Sequence, residues 1–237
     1  MSLLTIIQDV ADEVGIARPT AVIGNSNPET RKFLRYAQKV GRSILKSFPW
    51  QILRKEQTFT SLATETQTSI LPSDFDRICP ESFWNRTDNH LMIGPITPVE
   101  WNSLKANSYD DDTRHKFIIR GDVLMAIPVM TAGKSLAFEY VSKNWCQSSA
   151  SAEQSKWVAD DDTGILDEEL MTRAIIFEFL WGDGLPADVA YESYDNYCKM
   201  LMDNDQPDGD ILVAGDIFMG GRHHTGTPSA SGASQLF

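Results

Sequence analysis

Cysteine is scarce and poorly spaced for chemistry. Cys79, Cys146 and Cys198 are odd in number and far apart, which excludes a paired disulfide framework and a Cys-x-x-Cys metal knuckle and leaves free thiols. Histidine is nearly as sparse, and His90, His115, His223 and His224 show no metal-ligand spacing within one element. No apolar run approaches the roughly 18 residues of a spanning helix. The start, MSLLTIIQDVADEVG, mixes acids among its apolar residues and lacks a basic leader, so no secretory signal is predicted and the protein is expected to stay in the cytoplasm of the cell that makes it. The G-x-S-x-G, Walker and dinucleotide glycine patterns are missing too, and no nucleophile with its base can be assembled. Basic charge is in deficit: 21 Lys and Arg stand against 33 Asp and Glu, a net charge of -12. That balance argues against a protein that wraps DNA as a ligand, but not against one past which DNA slides.

What is present is a globular composition, 42% hydrophobic and 23% charged over 237 residues, enough for one large domain or two small lobes. Leu3, Ile6, Ile7, Val10 and Val14 recur at helical spacing, with Gly15 as a stop. A second helix is predicted from the Asn27 cap and Pro28 to about Phe48, burying Phe33, Ala37, Val40 and Ile44. Its outer face carries Arg31, Lys32, Arg35, Lys39, Arg42 and Lys46.

From Trp50 the texture becomes short runs rich in Thr, Ile, Val and aromatics, the mark of strands. Residues 118–119 and 123–127 read as a hairpin around Arg120-Gly121-Asp122, which makes that triplet a turn rather than an adhesion motif. A third strand is expected after the 131–134 turn, and a short helix over 99–106 behind Pro98. Helical texture returns at Leu166. The run AIIFEFLW, residues 174–181, is apolar all round except for Glu178, so something must cover its second side. Gly182 to Pro186 then connects to a last helix reaching about Asp203, with Ala190, Tyr194, Tyr197 and Leu201 inward.

After Gln206 periodicity ends. The last 32 residues hold six of the 15 glycines, yet keep two apolar clusters, Ile211, Leu212, Val213 and Ile217, Phe218, Met219, suited to docking on another chain. The fold class is therefore α+β. A four-helix lobe built from both chain ends, residues 1–49 and 160–205, carries an inserted antiparallel β lobe, residues 50–159, and an extended C-terminal arm, residues 206–237.

The densest acidic stretch places Asp160, Asp161, Asp162, Asp167, Glu168 and Glu169 within ten residues. Three consecutive aspartates can suggest a divalent-metal site, but they sit in one irregular segment without histidines. The later three suit the first turn of a helix, where acids meet the positive end of the macrodipole. The acids and the basic face of the second helix are either electrostatic mates, within or between subunits, or separately solvated surfaces.

The segments EVGIARPTAVIGNSNPETRKFLRYAQKVGRSILKSFPWQILRKEQTF, LPSDFDRICPESFWNRT, IGPITPVEW, FEYVSKNWC and WVADDDTGILDEELM together resemble the head-to-tail adaptor proteins of tailed bacteriophages, the tail tubular protein A-like group, over roughly residues 1–205. The resemblance implies a structural virion protein, assembled in the host cytoplasm and seated at the head-tail junction. It implies a homo-oligomeric ring, expected to be of twelve copies, beneath the portal protein. That ring would join the portal to the tail nozzle or tail tube and pass double-stranded DNA without binding it specifically. It implies no enzyme activity, no cofactor and no membrane. Candidate inter-subunit or portal contacts are Arg31, Lys32, Arg35, Lys39, Arg42 and Lys46 against Asp160, Asp161 and Asp162, with Phe177 and Trp181 as apolar contacts. Two other classes stay open: a tail-associated hydrolase or metal-dependent phosphodiesterase using Asp160 to Asp162, and a small binding module unrelated to viruses.

Overall fold

A computed structural model describes residues 2–107, 109 and 114–205. The expected arm, with its clusters at 211–213 and 217–219, lies outside the described residues. Residues up to Asp205 belong to one compact unit.

The first helix, α1 (Leu3–Glu13), starts at Ser2, whose hydroxyl accepts the Thr5 N–H, and buries Leu3, Ile6, Ile7, Val10 and Ala11. Helix α2 (Pro28–Ser47) opens as its sequence dictates, Asn27 accepting the Glu29 N–H at 2.8 Å with Pro28 at the first position. The chain then passes into β1 (Arg54–Thr60), β2 (Thr66–Gln67), β3 (Phe75–Ile78), β4 (Trp84–Asn85) and β5 (His90–Leu91). Next come α3 (Pro98–Ala106), β6 (Lys116–Arg120), β7 (Val123–Ile127), β8 (Ser135–Ser142), β9 (Cys146–Gln147), β10 (Glu153–Gln154) and β11 (Thr163–Gly164). Helices α4 (Glu168–Gly182) and α5 (Asp188–Asp205) close the described chain.

Mixed helix and antiparallel sheet is the α+β class. The hairpin β6–β7 turns through Gly121 and Asp122, with Gly121 at φ +59°, so the Arg-Gly-Asp triplet does serve as a turn. The strand after the 131–134 turn forms, but it does not extend that hairpin. Strand β8 instead pairs along its whole length with β1, and takes β3 and β4 on its other edge. Strands β2, β7 and β6 make a separate sheet, as do β10, β9 and β11.

Helix α4 packs against α1, α2 and α5, which resolves the all-round apolar run: its second side is covered by α5 of the same chain. The buried cluster around these helices also takes in Trp50, Leu53, Cys79, Val141, Trp145, Cys146 and Trp157. These residues lie between positions 50 and 159, where the sequence reading placed the β lobe. A second cluster, with Phe83, Phe117, Leu124, Leu136 and Phe138, fills the sheets, and a third lies under α3 around Trp101.

The closest packing joins the helices to the β region at one point. Trp145, fully buried, lies against Gly41 so tightly that a Cβ there would fall 2.4 Å from two of the indole carbons. Trp157 meets the same indole edge-on at 5.2 Å. Glycine inside a helix ordinarily weakens it by about 1 kcal/mol relative to alanine, so Gly41→Ala would stabilise α2 if nothing faced it. Here overpacking decides the sign: Gly41→Ala should cost about 1–3 kcal/mol, a fall of roughly 3–10 °C in melting temperature by calorimetry.

Candidate functional site

The acidic stretch divides into two structural devices. Asp167 caps α4, its carboxylate accepting the Leu170 N–H at 2.8 Å, and Glu168 and Glu169 occupy the first turn. Asp160 receives the backbone N–H groups of Val22 and Ile23, the latter at 2.7 Å. Asp162 is 1% exposed and accepts from the N–H groups of Val158 and Ala159 at 2.7 and 2.9 Å. Only Asp161 of the three is exposed. Backbone donors of the same chain occupy the carboxylates of Asp160 and Asp162, a role the sequence reading did not assign them, because a turn at this depth leaves N–H groups that need acceptors. No three His, Cys, Asp or Glu side chains among the described residues converge to hold a metal ion.

The second polar concentration lies in the LPSDF stretch. Asp74 takes three side-chain donors at once, Lys55 Nζ at 2.9 Å, Ser142 Oγ at 2.9 Å and Tyr140 Oη at 3.0 Å, while its own carbonyl accepts the Lys143 N–H at 2.7 Å. Lys55 also pairs with Glu153. Burial alone would raise the Asp74 carboxyl, but hydrogen bonds from Lys55, Ser142 and Tyr140 outweigh it and hold the group below the usual carboxylate value. Tyr140 is pushed up to about 12, by burial first and then by its bond to Asp74. Lysine, tyrosine, serine and aspartate together could suggest catalysis, yet every donor points at the same carboxylate. The cluster joins β1, β8 and the turn before β3.

The six basic residues of α2 are all exposed, but their surroundings differ. Lys32 pairs with Asp183 at 2.8 Å, Lys39 with Glu178 at 2.6 Å, and Lys46 with Asp76. Arg31, Arg35 and Arg42 meet no acid among the described residues. Phe177, expected as an intermolecular contact, is instead half-buried against α5, 5.3 Å from Tyr191 and stacked on Tyr194 at 6.3 Å. Its own chain thus supplies part of the cover expected from a neighbour. Trp181, one turn on, is 69% exposed.

Sequence reasoning missed the Asp74 cluster, because its members are scattered over positions 55, 74, 140 and 142 and only strand register brings them together. Among cavities, a cleft of about 680 Å³ lies between Trp50, Ile52, Leu166, Leu170 and Leu201 with acids at its rim, offering apolar surface and no nucleophile with a base. The three cysteines are buried. Burial pushes the Cys146 thiol up to about 12 and raises Cys79 and Cys198 as well, so none is a ready nucleophile at neutral pH. No helix among the described residues is long and apolar enough to cross a membrane. Against models of known protein families the chain shows no match, and a search of curated proteins returned none.

The depressed Asp74 carboxyl fixes a sign. Its contribution to stability is present above the ordinary carboxylate value and is lost as pH falls through the lower folded value. Asp74→Asn should cost about 1–3 kcal/mol at pH 7, and the gap to the parent should narrow steadily below roughly pH 4 in urea titrations.

Proposed function

We propose that this chain is a structural virion protein, the head-to-tail adaptor of a tailed bacteriophage. In this reading about twelve copies form a closed ring beneath the portal protein and join it to the tail nozzle or tail tube, leaving a bore for the genome. The helices α1, α2, α4 and α5 act as one lobe towards the portal, and the sheets act as an inserted lobe towards the tail. The protein works as a joint and carries out no reaction.

The observation that supports this best is where the adaptor-like segments sit. LPSDF supplies Asp74, FEYVSKNWC supplies Tyr140, Ser142 and Trp145, and WVADDDTGILDEELM supplies Trp157, Asp160, Asp162 and Asp167. Asp74, Tyr140, Ser142, Trp145, Trp157 and Asp160 join separate parts of the fold, while Asp162 and Asp167 fix a turn and a helix start within their own segment. A resemblance concentrated in internal joints is what a shared scaffold produces, whereas a shared reaction would concentrate it in a pocket. The exposed Trp181, at the connection between α4 and α5, is an apolar surface suited to a partner chain. The net charge of -12 suits a passage that DNA traverses without adhering.

Electron microscopy of the full chain, alone and with the portal protein of the same phage, tests the reading. A closed ring of about twelve copies seated on the portal is the expected result. A chain that stays monomeric at all concentrations and is absent from phage particles would overturn it.

A further inference from the structure

The three lysines and three arginines of α2 form two adjacent rows that differ in their partners. At roughly 100° per residue, Lys32, Lys39 and Lys46 fall on the flank towards α4, while Arg31, Arg35 and Arg42 fall within about 40° of one another, directly opposite the buried Phe33, Ala37, Val40 and Ile44. The flank row is neutralised within the chain and the outward row is not. Helix α5 carries the counterpart. Asp188, Glu192 and Asp203 are exposed, make no ion pair among the described residues, and lie on the side of α5 opposite the inward Ala190, Tyr197 and Leu201. Asp195 and Lys199, between them, pair with each other at 2.6 Å.

We propose that these rows are the two halves of one heterologous contact: the arginine row of α2 in one copy lies along the acidic row of α5 in the next, helices parallel, Arg31 opposite Glu192 and Arg42 opposite Asp203. The proposal rests on the ring reading above and specifies its interface. Spacing supports it, because Arg31 and Arg42 are eleven residues apart and so are Glu192 and Asp203, about three turns in each case. Charge selects the direction. In the parallel register Arg35 faces Asn196 beside Asp195, whereas the antiparallel register with the partners exchanged, Arg31 opposite Asp203 and Arg42 opposite Glu192, sets Arg35 against Lys199.

The fold then makes that direction the one a ring produces. Lys32 meets Asp183 and Lys39 meets Glu178, so α2 and α4 run antiparallel. Phe177 meets Tyr191, and Arg173 donates to Ser193 at 2.7 Å, so α4 and α5 also run antiparallel. Helices α2 and α5 of one chain therefore point the same way. Rotation about an axis along the helices preserves direction from copy to copy, so a cyclic ring whose axis runs along them repeats this contact, while a two-fold axis across them would reverse it. Exposed ion pairs are individually weak and salt-screened, so the contact counts through repetition around the ring.

The test uses thiol pairs in the full chain, whose native cysteines are all buried. Arg42→Cys with Asp203→Cys, and separately Arg31→Cys with Glu192→Cys, each leave the other charge pair in place. A bismaleimide shorter than the roughly 16 Å between positions three turns apart should link either variant into a ladder of multimers, and should not link Arg31→Cys with Asp203→Cys. Arg31→Glu with Arg42→Glu should raise the concentration needed for assembly about tenfold, with recovery on adding Glu192→Arg and Asp203→Arg. A parent that forms rings while the first two variants give no ladder, a single cross-linked dimer, or a ladder only in the third variant overturns the interface and leaves the ring standing. A parent that forms neither ring nor ladder overturns both.

Discussion

The first helix of this protein is held in place by a strap almost 160 residues later in the chain. The N–H groups of Leu3 and Leu4, which the start of α1 cannot satisfy internally, donate to the carbonyls of Asp162 and Asp160 at 2.8 and 3.0 Å. Ser2 and Thr163 form a β-bridge beside them. The Asp160 carboxylate then fastens the loop at Val22 and Ile23, and the Asp162 carboxylate rigidifies the strap itself. A buried donor left without an acceptor costs about 1–3 kcal/mol, so losing the strap would orphan several donors at once. Everything that α4 does next, packing α1 on one side, α2 on another and α5 on a third, presupposes that the strap has delivered it to the right place.

The same economy of contacts explains which charges remain free to act between molecules. Acids near α4 and β3 neutralise the lysine flank of α2, and backbone amides take Asp160 and Asp162. Among what is left outward are one arginine row, one acidic row on α5, and Trp181 near the end of α4. These surfaces carry opposite charge on helices that point the same way, a property of the fold that no single helix displays.

Local signals were the legible part of the sequence. Asn27-Pro28, Asp167 ahead of an apolar run, Gly121-Asp122 and the spacing of Phe33, Ala37, Val40 and Ile44 each act within a few residues, and each forms the element its chemistry demands. Long-range pairing was not legible. Strand β8 follows the β6–β7 hairpin in sequence yet joins β1, and nothing in the alternation of its residues names that partner. The aspartates at 160–162 read as an acidic cluster because carboxylates near one another in sequence imply shared chemistry, whereas their roles depend on backbone N–H groups whose positions only the folded chain determines. Phe177 read as intermolecular because an all-round apolar helix signals two covered sides, and the pattern is silent on whether the second cover is α5 or a neighbour.

Amide hydrogen exchange in Asp160→Ala and the parent, with and without magnesium, tests the strap most directly. The account predicts that Val22 and Ile23 lose protection in the variant, that Leu3 and Leu4 loosen with them, and that magnesium changes nothing in the parent. Unchanged protection at Val22 and Ile23, or a magnesium-dependent gain in the parent that Asp160→Ala abolishes, would contradict it by showing that this carboxylate holds a metal rather than the chain.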